Sequence, residues 1–243
     1  VTGEKGGPPS RMGLSIVDLS TGLQAAIAMV SGVVGARASG VGGDYDVSLF
    51  DVAMTNLCYV AAWRLTLGET VGREARSAHP SLVPSQLYKT ADGWIFLMCN
   101  KEKFWPILAR KIGRPEWADD PRFKTFKGRL QHRDLLTDLL DEALSAKGTE
   151  AWMAEFAGEV PAAPVYDIGQ ALDSPFARST GQILEHATPS GQMIGAIGPG
   201  VRQPGLAPKA EPAPALAADQ QAILGALGYT PEEAEALAKA CQR

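Results

Sequence analysis

Asp18 is the residue whose position first suggests chemistry. It lies between an apolar run (Leu14, Ile16, Val17) and a long stretch of small and apolar residues. If a helix begins close to it, the free backbone N–H groups and the dipole of that helix stabilise its carboxylate. Two interpretations follow: a structural acid at a helix start, or a carboxylate nucleophile that those groups hold ionised. Spacing alone does not decide between them.

Other candidate motifs are weaker. The segment SGVGGD, residues 39–44, has three glycines, but no Lys-Ser or Lys-Thr pair follows it as in a phosphate-binding loop. Ser77, His79 and Ser81 share one loop, yet no nucleophile elbow accompanies them. The cysteines and histidines are dispersed without metal-ligand spacing, so no metal site is predicted. They are Cys58, Cys99, Cys241, His79, His132 and His186.

Composition limits the class of protein. The chain has 243 residues, 45% of them hydrophobic, and a net charge of −4, which indicates a globular protein with a substantial core. Its scattered basic residues predict neither a nucleic-acid surface nor a polybasic membrane anchor. Three separated cysteines favour reduced thiols in the cytoplasm. Residues 19–36 are uncharged, but their polar and glycine content favours a buried helix over a membrane span.

The elements around Asp18 must position it. LSIV, residues 14–17, is predicted to be a short strand, followed by a helix from Ser20 or Thr21 to about Arg37. Small residues recur every four positions along that helix (Ala28, Gly32, Ala36), which allows another backbone to approach closely and predicts a central helix. A strand at 45–50 and an apolar helix at 51–67 follow.

The middle of the chain reads as an α+β module. YKTADGWIFLMC predicts a hairpin with its turn at 89–93, and an amphipathic helix follows, closed by Gly113. A further helix over 129–146 is expected to bury a leucine stripe, and another helix lies near 149–157. That stripe consists of Leu130, Leu135, Leu136, Leu139, Leu140 and Leu144.

The last part of the chain combines a hairpin with helices. ILEHATPSGQMIGAIG predicts a hairpin that turns at 189–191, and a helix is expected at about 217–227. Thr230, Pro231 and Glu233 form a capping box with proline at the first helical position, which predicts a final helix.

The order of these segments resembles the class III CoA-transferases, the family of formyl-CoA and carnitine CoA-transferases and, more distantly, α-methylacyl-CoA racemase. The first marks are the PP linker, the Asp followed four residues later by Gly, the small-residue helix, the G-x-G-G turn and the segment VSLFD. Further marks are HPSLVPSQLYKTADGWIFLMC, KFW, GRPEWADDPRF, VPAAPVYDIGQAL and LGYTPEEAEAL. The resemblance covers nearly the whole chain.

The resemblance implies a mechanism. Asp18 matches the family's catalytic aspartate, which attacks an acyl-CoA thioester and passes through an acyl-aspartyl anhydride and an aspartyl-CoA thioester. The loop AHPSLVPS lies where some transferases carry a glycine-rich flap, so His79, Pro80 and Ser81 are expected to bind substrate. Oxyanions would be stabilised by backbone N–H groups, either in the 79–81 loop or in the 19–22 turn. Coenzyme A is needed as the acyl-CoA substrate, and no metal is.

The resemblance also implies an architecture. The fold class is α/β, with part of a Rossmann-like large domain and a smaller α+β domain of the interlocked CoA-transferase type. Residues 1–70 would belong to the large domain, 75–178 would form the small domain, and 180–243 would return to the large domain. The expected partners are an acyl-CoA, a carboxylic acid, a second copy in a homodimer, and the family's N-terminal half in cis or in trans. Nucleic acid and membrane are not expected.

Two rival functions stay open at this stage. In an acyl-CoA racemase or isomerase, the same Asp would move an α-proton together with other acid–base groups. The racemase branch has a Glu just after the strand that ends at Met98 or Cys99, where this chain has Lys101 with Glu102 beside it. Alternatively, the chain is an inactive fragment or structural partner of a CoA-binding half.

Overall fold

The computed structural model describes residues 1–188, 190–201, 203–205 and 211–241, with only the backbone at Cys241. The chain divides into two compact units, residues 1–165 and 166–243. Both units contain helices and antiparallel strands, so the elements that the predicted α/β class requires are present. The predicted domain limits at 70, 75, 178 and 180 stay a prediction.

The first unit opens with three helices: α1 (Ile16–Ser39), α2 (Leu49–Asn56) and α3 (Cys58–Leu67). The first and third of these end at a glycine in the left-handed conformation, Gly40 with φ 76° and Gly68 with φ 73°. Glycine adopts this conformation without the steric cost of a Cβ atom, so it terminates a helix cleanly.

A three-stranded antiparallel sheet follows, in the order β1 (Ser85–Lys89), β2 (Trp94–Met98) and β3 (Ala162–Pro164). In the first pair Leu87 lies opposite Phe96, and in the second Ile95 lies opposite Pro164. The hairpin predicted from YKTADGWIFLMC is therefore confirmed.

Four helices accompany the sheet: α4 (Phe104–Lys111), α5 (Phe126–Gln131), α6 (Arg133–Leu144) and α7 (Thr149–Phe156). The hydrophobic core lies between them and the sheet. Apolar faces with helical and strand periodicity supply its members. Fully buried ones include Tyr88, Ile95, Leu97, Trp105, Leu108, Phe123, Leu136, Leu140 and Leu144.

The second unit contains helices and one hairpin. Its elements are α8 (Ile168–Asp173), α9 (Pro175–Ser179), β4 (Ile183–Ala187), β5 (Met193–Ile197), α10 (Gln220–Ala226) and α11 (Pro231–Cys241). The predicted hairpin is confirmed, although Pro189 of its turn lies outside the described residues. The capping box is present too, because the Thr230 hydroxyl accepts from Glu233 N and Glu233 Oε2 accepts from Thr230 N.

Two predicted strands are wrong. Helix α1 already begins at Ile16, inside LSIV, and residues 41–48 are irregular. The Ser48 hydroxyl accepts from Asp51 N at 3.1 Å, which starts α2 where the strand was expected. A strand requires a partner for its backbone groups, and in the described ranges neither segment has one.

The prediction of a central, buried first helix is also wrong for this chain. No residue of α1 is buried, and Leu19, Leu23 and Val30 are all more than half exposed. Apolar composition favours burial, but burial needs an opposing surface. By length and composition α1 could also cross a membrane, although core helices of soluble proteins meet the same criterion.

Two predicted long helices are each broken in two. The first breaks at Leu57, after which Cys58 has φ 51°. The second breaks at His132, so the residues before and after it do not share one helical phase. Leu130 and Leu135 are 37% and 41% exposed, so the prediction that these two leucines are buried is wrong.

Candidate active site

Asp18 is the third residue of α1, inside its first turn rather than before it. The first i to i−4 hydrogen bond of this helix runs from Leu19 N to Ser15 O at 3.0 Å. The N–H groups of the first helical residues therefore have no partner within the helix. Together with the helix dipole they favour a negative charge at this end.

The Asp18 side chain is exposed and has no hydrogen-bond partner among the described residues. Ser15, the residue at the N-cap position, makes no side-chain capping bond either. Asp18 is thus not the capping residue, and its contribution to the helix is limited to that of a first-turn acid. Its carboxylate is accessible to a second molecule.

The turn at 79–81 is held together by its own histidine. His79 Nδ1 lies 3.2 Å from both Ser81 N and Leu82 N, and His79 N donates to Ser85 O at 2.8 Å. Pro80 has no N–H group. The backbone donors of this turn therefore already have partners within the chain, which favours the other expected source of oxyanion donors, at the start of α1.

His79 carries its proton on Nε2, because Nδ1 accepts from two backbone N–H groups. Its ring stacks on Tyr59, with centroids 5.6 Å apart and planes inclined by 20°. Burial lowers the pKa of His79 below its ordinary range, and the nearby Arg133 charge lowers it further. At neutral pH the imidazole is therefore uncharged and offers one N–H donor.

A cavity of about 450 Å³ adjoins this turn. His79 and Pro80 line it, together with Tyr59, Phe96 and Met98. Ser81 instead lines a neighbouring hollow of about 320 Å³, with Trp63, Glu69 and Leu130. The cavity combines apolar walls with few polar groups, as small-molecule sites commonly do.

The structure brings the three predicted substrate-binding residues into one turn, but Asp18 lines neither hollow. Within the described residues no group of three or more His, Cys, Asp or Glu side chains could hold a metal ion.

Sequence reasoning missed two residues that shape this turn. Tyr59 lies on α3, and Arg133, the first residue of α6, donates from Nη2 to His79 O and Pro80 O at 2.8 and 3.0 Å. Each is separated from His79 by 20 or more positions, so no local periodicity connects them to the turn. Only the fold does so.

Comparison with known proteins adds independent information. The model of CoA-transferase family III matches residues 1–220. Human succinyl-CoA:glutarate CoA-transferase is 30% identical over 203 residues, which are 83% of this chain and 46% of the human protein. Succinate–glutarate CoA-transferase of Agrobacterium fabrum is 28% identical over 240 residues, 93% of this chain and 57% of that protein. The chain spans about half the length of the curated relatives it matches.

Solved structures show the same fold. A CAIB/BAIF family protein from Brucella suis superimposes with a TM-score of 0.74 at 28% identity, covering 93% of this chain and 59% of that one. A Mycobacterium tuberculosis protein gives a TM-score of 0.71 at 24% identity, over 82% of this chain and 52% of that one. These likenesses confirm the predicted α/β fold class.

Proposed function

Because this chain belongs to CoA-transferase family III, we propose that it carries the nucleophile of an enzyme that transfers coenzyme A from an acyl-CoA to a carboxylic acid. That nucleophile is Asp18. The observation that carries the proposal is its exposed carboxylate, which has no partner among the described residues and sits in the first turn of α1. A carboxylate that is accessible, and that lies beside the unpartnered N–H groups of a helix end, suits nucleophilic attack.

The first half of the reaction moves the acyl group off the thioester. An Asp18 carboxylate oxygen attacks the acyl carbonyl carbon, the C–S bond breaks, and coenzyme A leaves as the thiolate. The acyl-aspartyl anhydride that remains is then attacked by the thiolate at the Asp18 carbonyl carbon. The C–O bond breaks there, which releases the first carboxylate and leaves an aspartyl-CoA thioester.

The second half runs the same chemistry in reverse. The incoming carboxylate attacks the aspartyl-CoA thioester, expels the thiolate and forms a new anhydride. The thiolate then attacks the acyl carbonyl of that anhydride, which yields the new acyl-CoA and regenerates the Asp18 carboxylate. Each step exchanges one leaving group for one nucleophile, so no oxidant or metal is required.

The oxyanions that form in these steps need hydrogen-bond donors to stabilise them. The turn at 79–81 has none to spare, whereas the first-turn N–H groups of α1 at Ile16 and Val17 have no partner within the helix. We assign this role to them, in place of the 19–22 turn expected from the sequence, since the helix begins earlier than predicted. One such donor typically contributes about 3 kcal/mol to the transition state.

The acceptor is proposed to be a small carboxylic acid. Relatives carry names that pair coenzyme A with glutarate, oxalate or mesaconate, all of them dicarboxylic acids. The complete enzyme is proposed to be a cytoplasmic homodimer that includes the family's N-terminal half, in cis or in trans. The exposed apolar side chains along α1 support such an interface, because patches of this kind rarely stay in water.

A racemase is less well supported. Glu102, the acid nearest the position where racemases have one, is already engaged. Its Oε1 accepts from Phe126 N at 2.7 Å, and its Oε2 accepts from Arg129 Nη2 at 2.6 Å. A carboxylate whose two oxygens already accept hydrogen bonds from within the chain is a poor candidate for proton transfer to a substrate.

Chemical trapping tests the proposal. The complete enzyme, or this chain combined with a separately produced N-terminal half, is incubated with acyl-CoA and then with hydroxylamine. Hydroxylamine converts an anhydride or thioester into a hydroxamate, so peptide mass spectrometry should find the modification at Asp18. The Asp18→Asn variant, the matched control, should show none. Transfer activity without a hydroxamate at Asp18 would contradict the assignment, and no turnover in either preparation would favour a structural partner.

A further inference from the structure

Arg133 connects α6 to the turn that contains His79. From Nη2 it donates to two successive carbonyl oxygens, His79 O at 2.8 Å and Pro80 O at 3.0 Å, more than 50 residues away in sequence. We propose that Arg133 is a positioning residue, whose guanidinium sets the orientation of the 79–81 turn and of the imidazole that lines the cavity. The proposal rests on the proposed function only in that His79, as the family resemblance implies, is expected to bind the substrate of the transfer reaction.

The contact requires arginine rather than any cation. A guanidinium is planar and rigid, and it presents donors in fixed directions, whereas the lysine ammonium is a point charge on a flexible stem. Because Nη2 binds the carbonyl oxygens of two adjacent residues, it fixes both the position and the tilt of the turn that contains them. Lysine in the same place would keep the charge but not this geometry.

Arg133 belongs to a set of polar residues on β1 and α6. Gln86 and Tyr88 lie two residues apart on β1, and Arg133 and Thr137 lie four apart on α6, so each pair shares one face of its element. Gln86 Nε2 donates to Thr137 Oγ1 at 3.0 Å across the two elements. We refer to these four residues as the β1–α6 polar cluster.

Three atoms of the β1–α6 polar cluster are buried without a direct protein partner: Gln86 Oε1, Tyr88 Oη and Arg133 Nη1. Buried polar atoms in native proteins nearly always have a partner, and a water with about three hydrogen bonds is a common one. These atoms comprise an acceptor, a hydroxyl that can donate or accept, and a donor.

The charge of Arg133 also reaches the imidazole. Burial is the larger cause of the lowered pKa of His79, and the positive charge of Arg133 is the second. Among the side chains that line the cavity, the other titratable ones are Tyr59, stacked on the ring, and Glu74 in the wall. Arg133 therefore acts on His79 in two separable ways, through its hydrogen bonds and through its charge.

Two variants separate these effects. Arg133→Met removes both the hydrogen bonds and the charge, and Arg133→Lys removes the paired hydrogen bonds but keeps the charge. Nitrogen-15 NMR of histidine-labelled protein reports the tautomer and the pKa of each imidazole, and His79→Gln assigns the His79 signals. In the unmodified chain we expect the Nε2–H tautomer with a pKa below the ordinary value.

For Arg133→Met we expect a raised His79 pKa and a mixture of tautomers. For Arg133→Lys we expect the lowered pKa to persist while the tautomers mix. Arg122→Met, at an exposed arginine paired with Asp120, should leave the pKa and the tautomer of His79 unchanged. Unchanged His79 signals in folded Arg133→Lys protein would overturn the proposal, even if Arg133→Met did not fold. The readout involves no transfer reaction, so failure of the Asp18 assignment would not affect it.

Discussion

The guanidinium of Arg129 is fully buried, whereas the carboxylate of its partner Glu102, 2.6 Å away, is half exposed. The remaining donors of Arg129 reach backbone oxygens, Val83 O at 2.7 Å and Phe123 O at 2.8 Å. One side chain thus joins α5 to Val83, two residues before β1, and to the loop before α5. A buried charge of this kind is tolerated because each of the three guanidinium nitrogens donates to an acceptor.

Removing Arg129 should therefore be strongly destabilising. We expect Arg129→Met to lower the free energy of unfolding by about 3 to 5 kcal/mol, since it leaves the Val83 and Phe123 carbonyl groups buried without their donor. Denaturant unfolding followed by circular dichroism measures this. Arg122→Met is the control, because the Arg122 side chain is 51% exposed and ion pairs of solvent-exposed side chains contribute at most about 1 kcal/mol. Equal losses for the two variants would contradict the structural role of Arg129.

Asp18→Asn and Asp18→Ala should both abolish transfer while leaving the fold intact. Without a carboxylate nucleophile the anhydride does not form, and the exposed side chain has no hydrogen bond among the described residues to lose. We expect each variant to unfold within about 1 kcal/mol of the unmodified chain, the limit of a helix-end charge effect. Near-normal transfer by Asp18→Asn in the complete enzyme would show that Asp18 is only a structural acid.

The two cysteines with described side chains should differ sharply in reactivity. Cys58 is exposed, whereas Cys99 is buried, and burial raises the pKa of the Cys99 thiol to about 12. Only the thiolate reacts, so Cys99 should be inert in the native state. In a Cys241→Ser background, a chromogenic disulfide reagent should modify one thiol at once and a second only after unfolding. Rapid modification of both would contradict the burial of Cys99.

Acidification should destabilise the chain partly through His79. The pKa of His79 is lowered in the folded state, so the unfolded state binds its proton more readily. Its contribution to stability is complete above the ordinary histidine pKa of about 6.5, and is lost as pH falls through the lower folded value. We expect the drop in Tm between about pH 7.5 and about pH 5 to be smaller in His79→Gln. An identical drop would show that the His79 pKa is not lowered.

Two glycines of α1 form a matched pair for testing the packing of Tyr45. A Cβ atom at Gly32 would lie 2.7 Å from Tyr45 Cε2, whereas nothing lies within 4 Å of a Cβ atom at Gly35. Gly35→Ala should stabilise the helix by up to about 1 kcal/mol through helix propensity alone. Gly32→Ala should stabilise the helix less than Gly35→Ala does, because the Tyr45 ring must move aside. Equal increases in the Tm of the two variants would show that Tyr45 does not pack against Gly32.

Local structure in the middle and last parts of the chain followed from the sequence. The 85–98 hairpin, the helix that ends before Gly113 and the capping box at Thr230 depend on residues a few positions apart. Such signals act through local backbone geometry and short hydrogen bonds, so they are readable without a fold. The candidate nucleophile came from its residue type and from the resemblance, and its role stays a prediction.

Tertiary structure decided the rest. The apolar pattern of 45–50 predicted a strand, but the described part of the chain contains no strand that pairs with it. The Ser48 cap starts a helix there instead. The apolar pattern of α1 predicted a buried helix, but the described residues do not bury any residue of α1. Likewise, the contact of Arg133 with the His79 turn depends on packing α6 against β1. Contacts between distant residues depend on three-dimensional packing, which local propensity does not encode.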